Sequence, residues 1–225
     1  MRIAVCGTQC IGKTTFVNDF LNTWSMYKKG QKTYRKMIDS GLVHSQQGTE
    51  DSQRAILNAI IDDIQQCTDE FVIYDRCPLD NLIYTLWLNT RELVSDEFVR
   101  ETISIVRESL SYFDMVFFLP ITKHSPVLIE NNGVRDIDVD YRNEIDVLFK
   151  TLMAAYTKGS KVYFPIDTDE GCPALIEIYG NKEERIALAK MYITETGKCY
   201  GEEDSLLNVP MDDAGKELAR EVYGI

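Results

Sequence analysis

Apolar residues along the chain fall into two alternating textures. Short unbroken runs at Arg2–Cys6, 71–75 (FVIYD), 115–119 (MVFFL) and 161–166 (KVYFPI) are rich in Val, Ile and aromatics. They lack clean alternation, as expected of strands covered on both faces. Longer segments between them carry apolar residues three and four apart, the period of an amphipathic helix. The first is 13–26, and 50–66 follows with Ile56, Leu57, Ile60, Ile61 and Ile64 on one stripe. Next come 79–88 and 96–112, then 141–156, in which Ile145, Leu148, Phe149 and Leu152 recur. Strands alternating with helices predict an α/β fold: a parallel sheet with helices on both faces. The binding edge of such a sheet lies at the strands' carboxyl ends.

Beyond Gly171 the texture changes. Residues 174–179 fit a further strand or a short helix, and 183–193 and 212–222 read as helices. The expected organisation is a core over 1–170, with 171–225 as a C-terminal extension packed on the same domain. No internal repeat or low-complexity segment interrupts it.

Two of these strands end on residues with chemistry. After Arg2–Cys6 the chain reads GTQCIGKTT, residues 7–15, which fits G-x-x-x-x-G-K-[ST] with Gly7, Gly12, Lys13 and Thr14 in register. Glycines allow the tight turn that aims successive N–H groups at phosphate oxygens. The following helix begins with its positive dipole end toward the anion. Gly7, Thr8, Gln9, Cys10, Ile11, Gly12, Lys13, Thr14 and Thr15 are thus expected to cradle a triphosphate. Lys13 would reach the β- and γ-phosphates, and Thr14 would offer its hydroxyl to Mg²⁺. This is the loop of the P-loop NTPase fold.

The 71–75 run ends on Asp75-Arg76, with Pro78 at the expected start of a helix. A hydrolysing P-loop ATPase has a glutamate after this aspartate to polarise water; here an arginine follows. Asp75 can take an acceptor hydroxyl's proton or hold the metal, and a neighbouring guanidinium binds phosphate by its planar fork. A third element, GVRDIDVDYR over 133–142, sets Arg135 in a polar loop and Arg142 near a helix start, with three aspartates between them. One well-placed arginine contributes about 10³–10⁵ in phosphoryl-transfer rate. The alternative for this loop is a solvated segment whose charges pair among themselves.

Composition narrows the partners. Of 225 residues 44% are hydrophobic and 27% charged, with a net charge of −12. A whole-surface grip on nucleic acid is therefore not expected. One local exception is YKKGQKTYRK, 27–36, in which Lys28, Lys29, Lys32, Arg35 and Lys36 alternate with Tyr27 and Tyr34. It reads either as a solvated helix end and loop or as a local groove for phosphates or a single strand, DNA included, where cations and stacking rings work together. Six cysteines at 6, 10, 67, 77, 172 and 199 contain no C-x-x-C, and reduced thiols are expected. No apolar run approaches the roughly 20 residues of a membrane span. The first residues enter a strand at once, so the expected location is the cytoplasm, of the host if the chain is phage-encoded.

GTQCIGKTT, the strand-end DR of YDRCPLDNLIY, and GVRDIDVDYR together resemble the P-loop nucleoside and nucleotide kinases. Thymidylate kinase-like proteins and related phage-type kinases look most similar, over about residues 1–170. The resemblance implies an ATP- and Mg²⁺-dependent kinase in which Lys13, Asp75, Arg76, Arg135 and Arg142 act, with Thr14 and Asp75 at the metal. Cys77 departs from the Tyr or Ser often found there. The acceptor stays open between a free nucleoside or nucleotide and a hydroxyl on nucleic acid, such as 5-hydroxymethyluracil in phage DNA. A nucleotide-switch ATPase is a third reading, but the nearest base-reading motif, Asn181-Lys182-Glu183-Glu184, ends in the wrong residue. Gln53, Arg54 and Tyr84 are candidates for the acceptor pocket wall.

Overall fold

A computed structural model describes residues 1–123, 138–165 and 171–200. Five strands, β1 (Arg2–Cys6), β2 (Lys28–Lys29), β3 (Val72–Asp75), β4 (Met115–Phe118) and β5 (Ala174–Glu177), form one sheet in the order β2-β3-β1-β4-β5. Every pairing is parallel. Seven α-helices are described: α1 (Lys13–Thr23), α2 (Thr33–Asp39), α3 (Glu50–Gln65), α4 (Pro78–Asn89), α5 (Asp96–Ser109), α6 (Val139–Thr157) and α7 (Lys182–Ala189). The expected α/β P-loop architecture is the observed one.

Successive strand residues point to opposite faces, and each face is covered. Ala4, Cys6, Tyr74, Val116 and Phe118 pack with α3, α4, α5 and α6 on one side. Ile3, Val5, Ile73, Phe117 and Ile176 pack with α1 and α7 on the other. Burial on both sides explains why the strand runs read as unbroken apolar stretches.

Three departures from the sequence reading stand out. Residues 161–165 form turns, where a strand is expected over 161–166 (Ile166 lies outside the described residues). Their apolar character serves packing instead: Phe164 is buried and its ring meets Tyr156 edge-on at 5.1 Å. Of the two readings of 174–179 the strand is the observed one, β5, and its pairing with β4 carries the sheet past residue 170 into the segment expected as an extension. Third, the basic run holds β2 and α2. A two-residue strand and a seven-residue charged helix are too short to print a period. The expected helix over 212–222 lies outside the described residues.

Candidate active site

Gly7 leaves β1 at φ 141°, and a Cβ there would meet the Leu119 carbonyl oxygen at 2.6 Å. Only glycine lets the chain turn so close to the end of β4. Gly12, at φ 90°, caps α1 in the left-handed conformation. Between them the loop curls around the buried Lys13, whose Nζ donates to the carbonyls of Gly7 and Thr8, both at 2.6 Å. Burial pulls the Lys13 ammonium down to about 8, and the Arg76 guanidinium nearby adds to the effect.

Two arginines from distant elements hold the outside of this loop. Arg142 on α6 donates from Nε to the Gln9 carbonyl at 3.2 Å, and its own carbonyl accepts the Thr8 hydroxyl at 2.9 Å. Arg185 on α7 donates from Nη1 to the Ile11 carbonyl at 2.9 Å. Both are buried, and burial lowers both guanidinium pKa values. Loop carbonyls fixed from behind leave the loop's N–H groups to face an anion.

The two strand ends meet. The Thr14 hydroxyl, at the start of α1, donates to Asp75 Oδ2 at 2.5 Å. Lys32, from the loop before α2, makes an ion pair with the same oxygen. Burial pushes the Asp75 carboxyl up, but the hydrogen bonds from Lys32 and Thr14 and the charges of Lys32 and Lys13 outweigh it, and its pKa is lowered. An ionised carboxylate beside a hydroxyl is a hard-oxygen pair that fits Mg²⁺.

Arg76 follows at φ 102°, a strained conformation for a residue with a side chain. Its guanidinium donates to Asp80 Oδ1 at 3.1 Å and lies 5.5 Å over the Tyr84 ring. Asp80 also accepts the Cys77 backbone N–H at 3.0 Å, closing the first turn of α4 after Pro78. Burial raises the Asp80 carboxyl. Burial pulls on Arg76 too, but Tyr84 and Asp80 reverse it, and the guanidinium is held charged. Cys77 therefore marks the helix entry, with a buried side chain.

Arg76, Asp80 and Tyr84 line a cavity of about 630 Å³ that also touches Gln9 of the phosphate loop. Its deep wall is Gln53 and Asn81. Asn81 Nδ2 donates to both the carbonyl and Oε1 of Gln53, at 3.0 and 2.9 Å. Asn81 Oδ1 is buried with no hydrogen-bond partner among the described residues. Asn81 thus lines the cavity with its amide nitrogen tied to Gln53 and its amide oxygen buried. Tyr141 closes one side.

Of the expected site residues, Lys13, Thr14, Asp75, Arg76 and Arg142 come together around the loop. Arg135 lies outside the described residues. Gln53 and Tyr84 line the cavity as expected, whereas Arg54 points outward to pair with Glu101 over the Phe98 ring. Of the basic run, Tyr27 is packed into the core at 4% exposed, whereas Tyr34, 7% exposed, and Arg35 line the same cavity as Arg76. Lys28 pairs with Asp69 and Arg35 with Asp39. Asn181 caps α7, accepting the Glu184 N–H while Glu184 accepts its own, so that motif is a capping box. Sequence reasoning missed Lys32, Asp80, Asn81 and Arg185. Asp80 and Asn81 stood within YDRCPLDNLIY, four and five residues after Arg76, in the first turn of α4.

A phosphate loop at the end of β1, a carboxylate at the end of β3 and helices on both faces define a P-loop nucleotide-binding protein. The AAA domain family model matches residues 2–164, and the chain belongs to that family. No curated protein matches the sequence. Among solved structures, the chain resembles deoxyadenosine kinase from M. mycoides with bound dATP, at 15% identity and TM-score 0.58, over 85% of this chain and 98% of that one. The same kinase with dCMP and dCDP bound aligns at 17% identity and TM-score 0.57. NadR protein in complex with NR aligns at 12% identity and TM-score 0.55, over 85% of this chain and 48% of that one. The chain thus spans about half the length of NadR. At these identities the likeness is one of fold: the α/β P-loop fold that those solved structures share.

Proposed function

We propose that this chain is an ATP-dependent kinase that passes the γ-phosphoryl group to a hydroxyl of a nucleoside or nucleotide. The observation that carries this reading is the shared wall. Gln9 of the phosphate loop and Arg76 of the strand end border the same cavity of about 630 Å³, a size suited to a small-molecule acceptor. The cavity lies against the loop that would hold ATP, where a donor phosphate and an acceptor oxygen can be brought in line.

Lys13 binds the β- and γ-phosphates once it lets go of the Gly7 and Thr8 carbonyls. Thr14 and Asp75 hold Mg²⁺, which when bound neutralises charge on the phosphate oxygens. Arg76, steadied by Asp80 and Tyr84, meets the charge that builds on the transferred group from the acceptor side. Gln53 and Asn81, on the cavity wall, read the acceptor's base. Arg142 acts through the loop it braces, and Arg135 is the further arginine proposed to meet the transferred phosphate.

Incubation of the purified chain with Mg²⁺ and labelled ATP tests this. Deoxynucleosides, deoxynucleotides, plain DNA and hydroxymethyluracil DNA are offered side by side, with Lys13→Ala as control. Label is expected on a free nucleoside or nucleotide and absent with Lys13→Ala. Label on the modified DNA moves the acceptor to nucleic acid. Phosphate release without any labelled acceptor overturns the kinase reading.

A further inference from the structure

Lys32 is placed with more care than a surface lysine needs. β2 pairs with Val72 and Ile73 of β3, and Gly30 then donates its N–H to the Ile73 carbonyl at 2.9 Å. A Cβ at Gly30 would lie 2.2 Å from the Tyr74 ring, so the backbone rests directly on that ring. On the far side, Thr33 donates from its backbone N–H and its hydroxyl to the two oxygens of Asp63, at 2.7 and 2.6 Å. Pinned on both sides, Lys32 delivers its ammonium to Asp75 Oδ2, the oxygen that also takes the Thr14 hydroxyl. The Asp75 side chain is 4% exposed and that of Lys32 25%. The carboxylate is fixed; its partner can swing outward.

A divalent cation on Thr14 and Asp75 would claim the oxygen that the ammonium occupies, and two cations on one carboxylate oxygen repel. We infer that Lys32 is the resident counter-ion of this pair and is displaced as Mg²⁺ and nucleotide load, so that it sets the Mg²⁺ concentration at which the site fills. The inference rests on the metal-holding role proposed for Thr14 and Asp75. It makes Lys32 a positioning residue: it keeps a buried carboxylate ionised and in place, and gives it up in exchange for the metal.

The test is ATP binding by the full chain, followed by equilibrium dialysis at fixed ATP while Mg²⁺ is titrated. Wild type is compared with Lys32→Met, which removes the charge, and Lys32→Arg, which keeps it. Lys32→Met is expected to lower the half-saturating Mg²⁺ concentration about tenfold, in the range for a partly buried ion pair, and Lys32→Arg to stay near wild type. A midpoint that is unmoved or raised in Lys32→Met overturns the inference and marks the pair as structural only. Circular dichroism checks folding; if Lys32→Met does not fold, Lys32→Gln takes its place. Phosphoryl transfer is measured separately from the Mg²⁺ midpoint. Intact transfer with an unmoved midpoint removes only the role of Lys32, and absent transfer with a shifted midpoint removes only the kinase reading.

Discussion

At Arg76 the backbone sits at φ 102°, which costs a residue with a Cβ about 1–2 kcal/mol. That strain sits where the guanidinium must leave the strand end and turn over Tyr84 into the cavity. Arg76→Ala and Arg76→Gly both lose the Asp80 pair and the ring contact, so their difference isolates the backbone. Chemical denaturation is expected to find Arg76→Gly more stable by about 0.5–1 kcal/mol, strain relief less the glycine's extra chain entropy. Both variants should lose phosphoryl transfer by about 10³-fold or more. Lys13 makes a second prediction. Its pKa of about 8 rises when phosphates surround it, so between the two values bound protein holds a proton that free protein lacks. Calorimetry of ATP binding in buffers of differing ionisation enthalpy should find proton uptake near pH 9 and almost none near pH 7. The stability sign is the opposite of a salt-bridged lysine's. The unfolded value, 10.5, exceeds the folded one, so between about 8 and 10.5 the unfolded chain binds more protons and this group's contribution to stability rises with pH. Lys13, Thr14, Asp75 and Arg76 were legible in the sequence because each lies in a contiguous motif at a strand end. Lys32 was not: its function comes from a 43-residue jump to Asp75, and in the sequence it is one cation among five in the same run.

Elements read from periodicity held where the apolar stripe was long. β1, β3 and β4 and the helices α3 to α6 lie within a residue or three of their expected bounds, because burial against the sheet prints the period directly. The failure at 161–165 has a plain cause. Val162, Tyr163 and Phe164 and a proline look alike whether they pair as a strand or plug a helix end, and Pro165 has no N–H for a ladder. β5 was ambiguous for the same reason, with four residues and one of them fully polar. α7 was legible as a helix, but its partner was not: nothing in Lys182–Ala189 announces that Arg185 reaches the Ile11 carbonyl. From that contact Arg185→Met is predicted to loosen the phosphate loop. Loss of a charged donor to a buried carbonyl costs about 1.5–3 kcal/mol, so ATP affinity should fall about tenfold or more by titration. Acceptor affinity should hold, since Arg185 is not among the residues lining the cavity. An equal loss of both affinities would point to general unfolding instead.

Across the whole molecule the phosphate loop is held by segments from both halves of the chain, and this bears on how much of it is needed. The family match ends at residue 164, yet Ile176, Ile178, Ala189 and Ile193 belong to the core on the α1 face of the sheet. The end of α1 is fastened there too. Trp24 donates from Nε1 to the Thr194 carbonyl at 2.8 Å, and the Tyr27 hydroxyl donates to the Gly197 carbonyl at 2.5 Å. Burial of each large aliphatic side chain is worth about 1.5–3 kcal/mol, against a typical net stability of about 5–15 kcal/mol. Removing β5 also opens β4 as an unpaired edge beside Met115 and Phe117, a template for association between chains. A chain ended after Pro165 should therefore lack a cooperative thermal transition by circular dichroism, elute as aggregate in size exclusion and bind no ATP. If that shortened chain instead melted cooperatively and bound ATP as the full chain does, the cover that β5 and α7 add to the α1 face would be dispensable. The bracing of the phosphate loop would then rest on Arg142 and α6 alone.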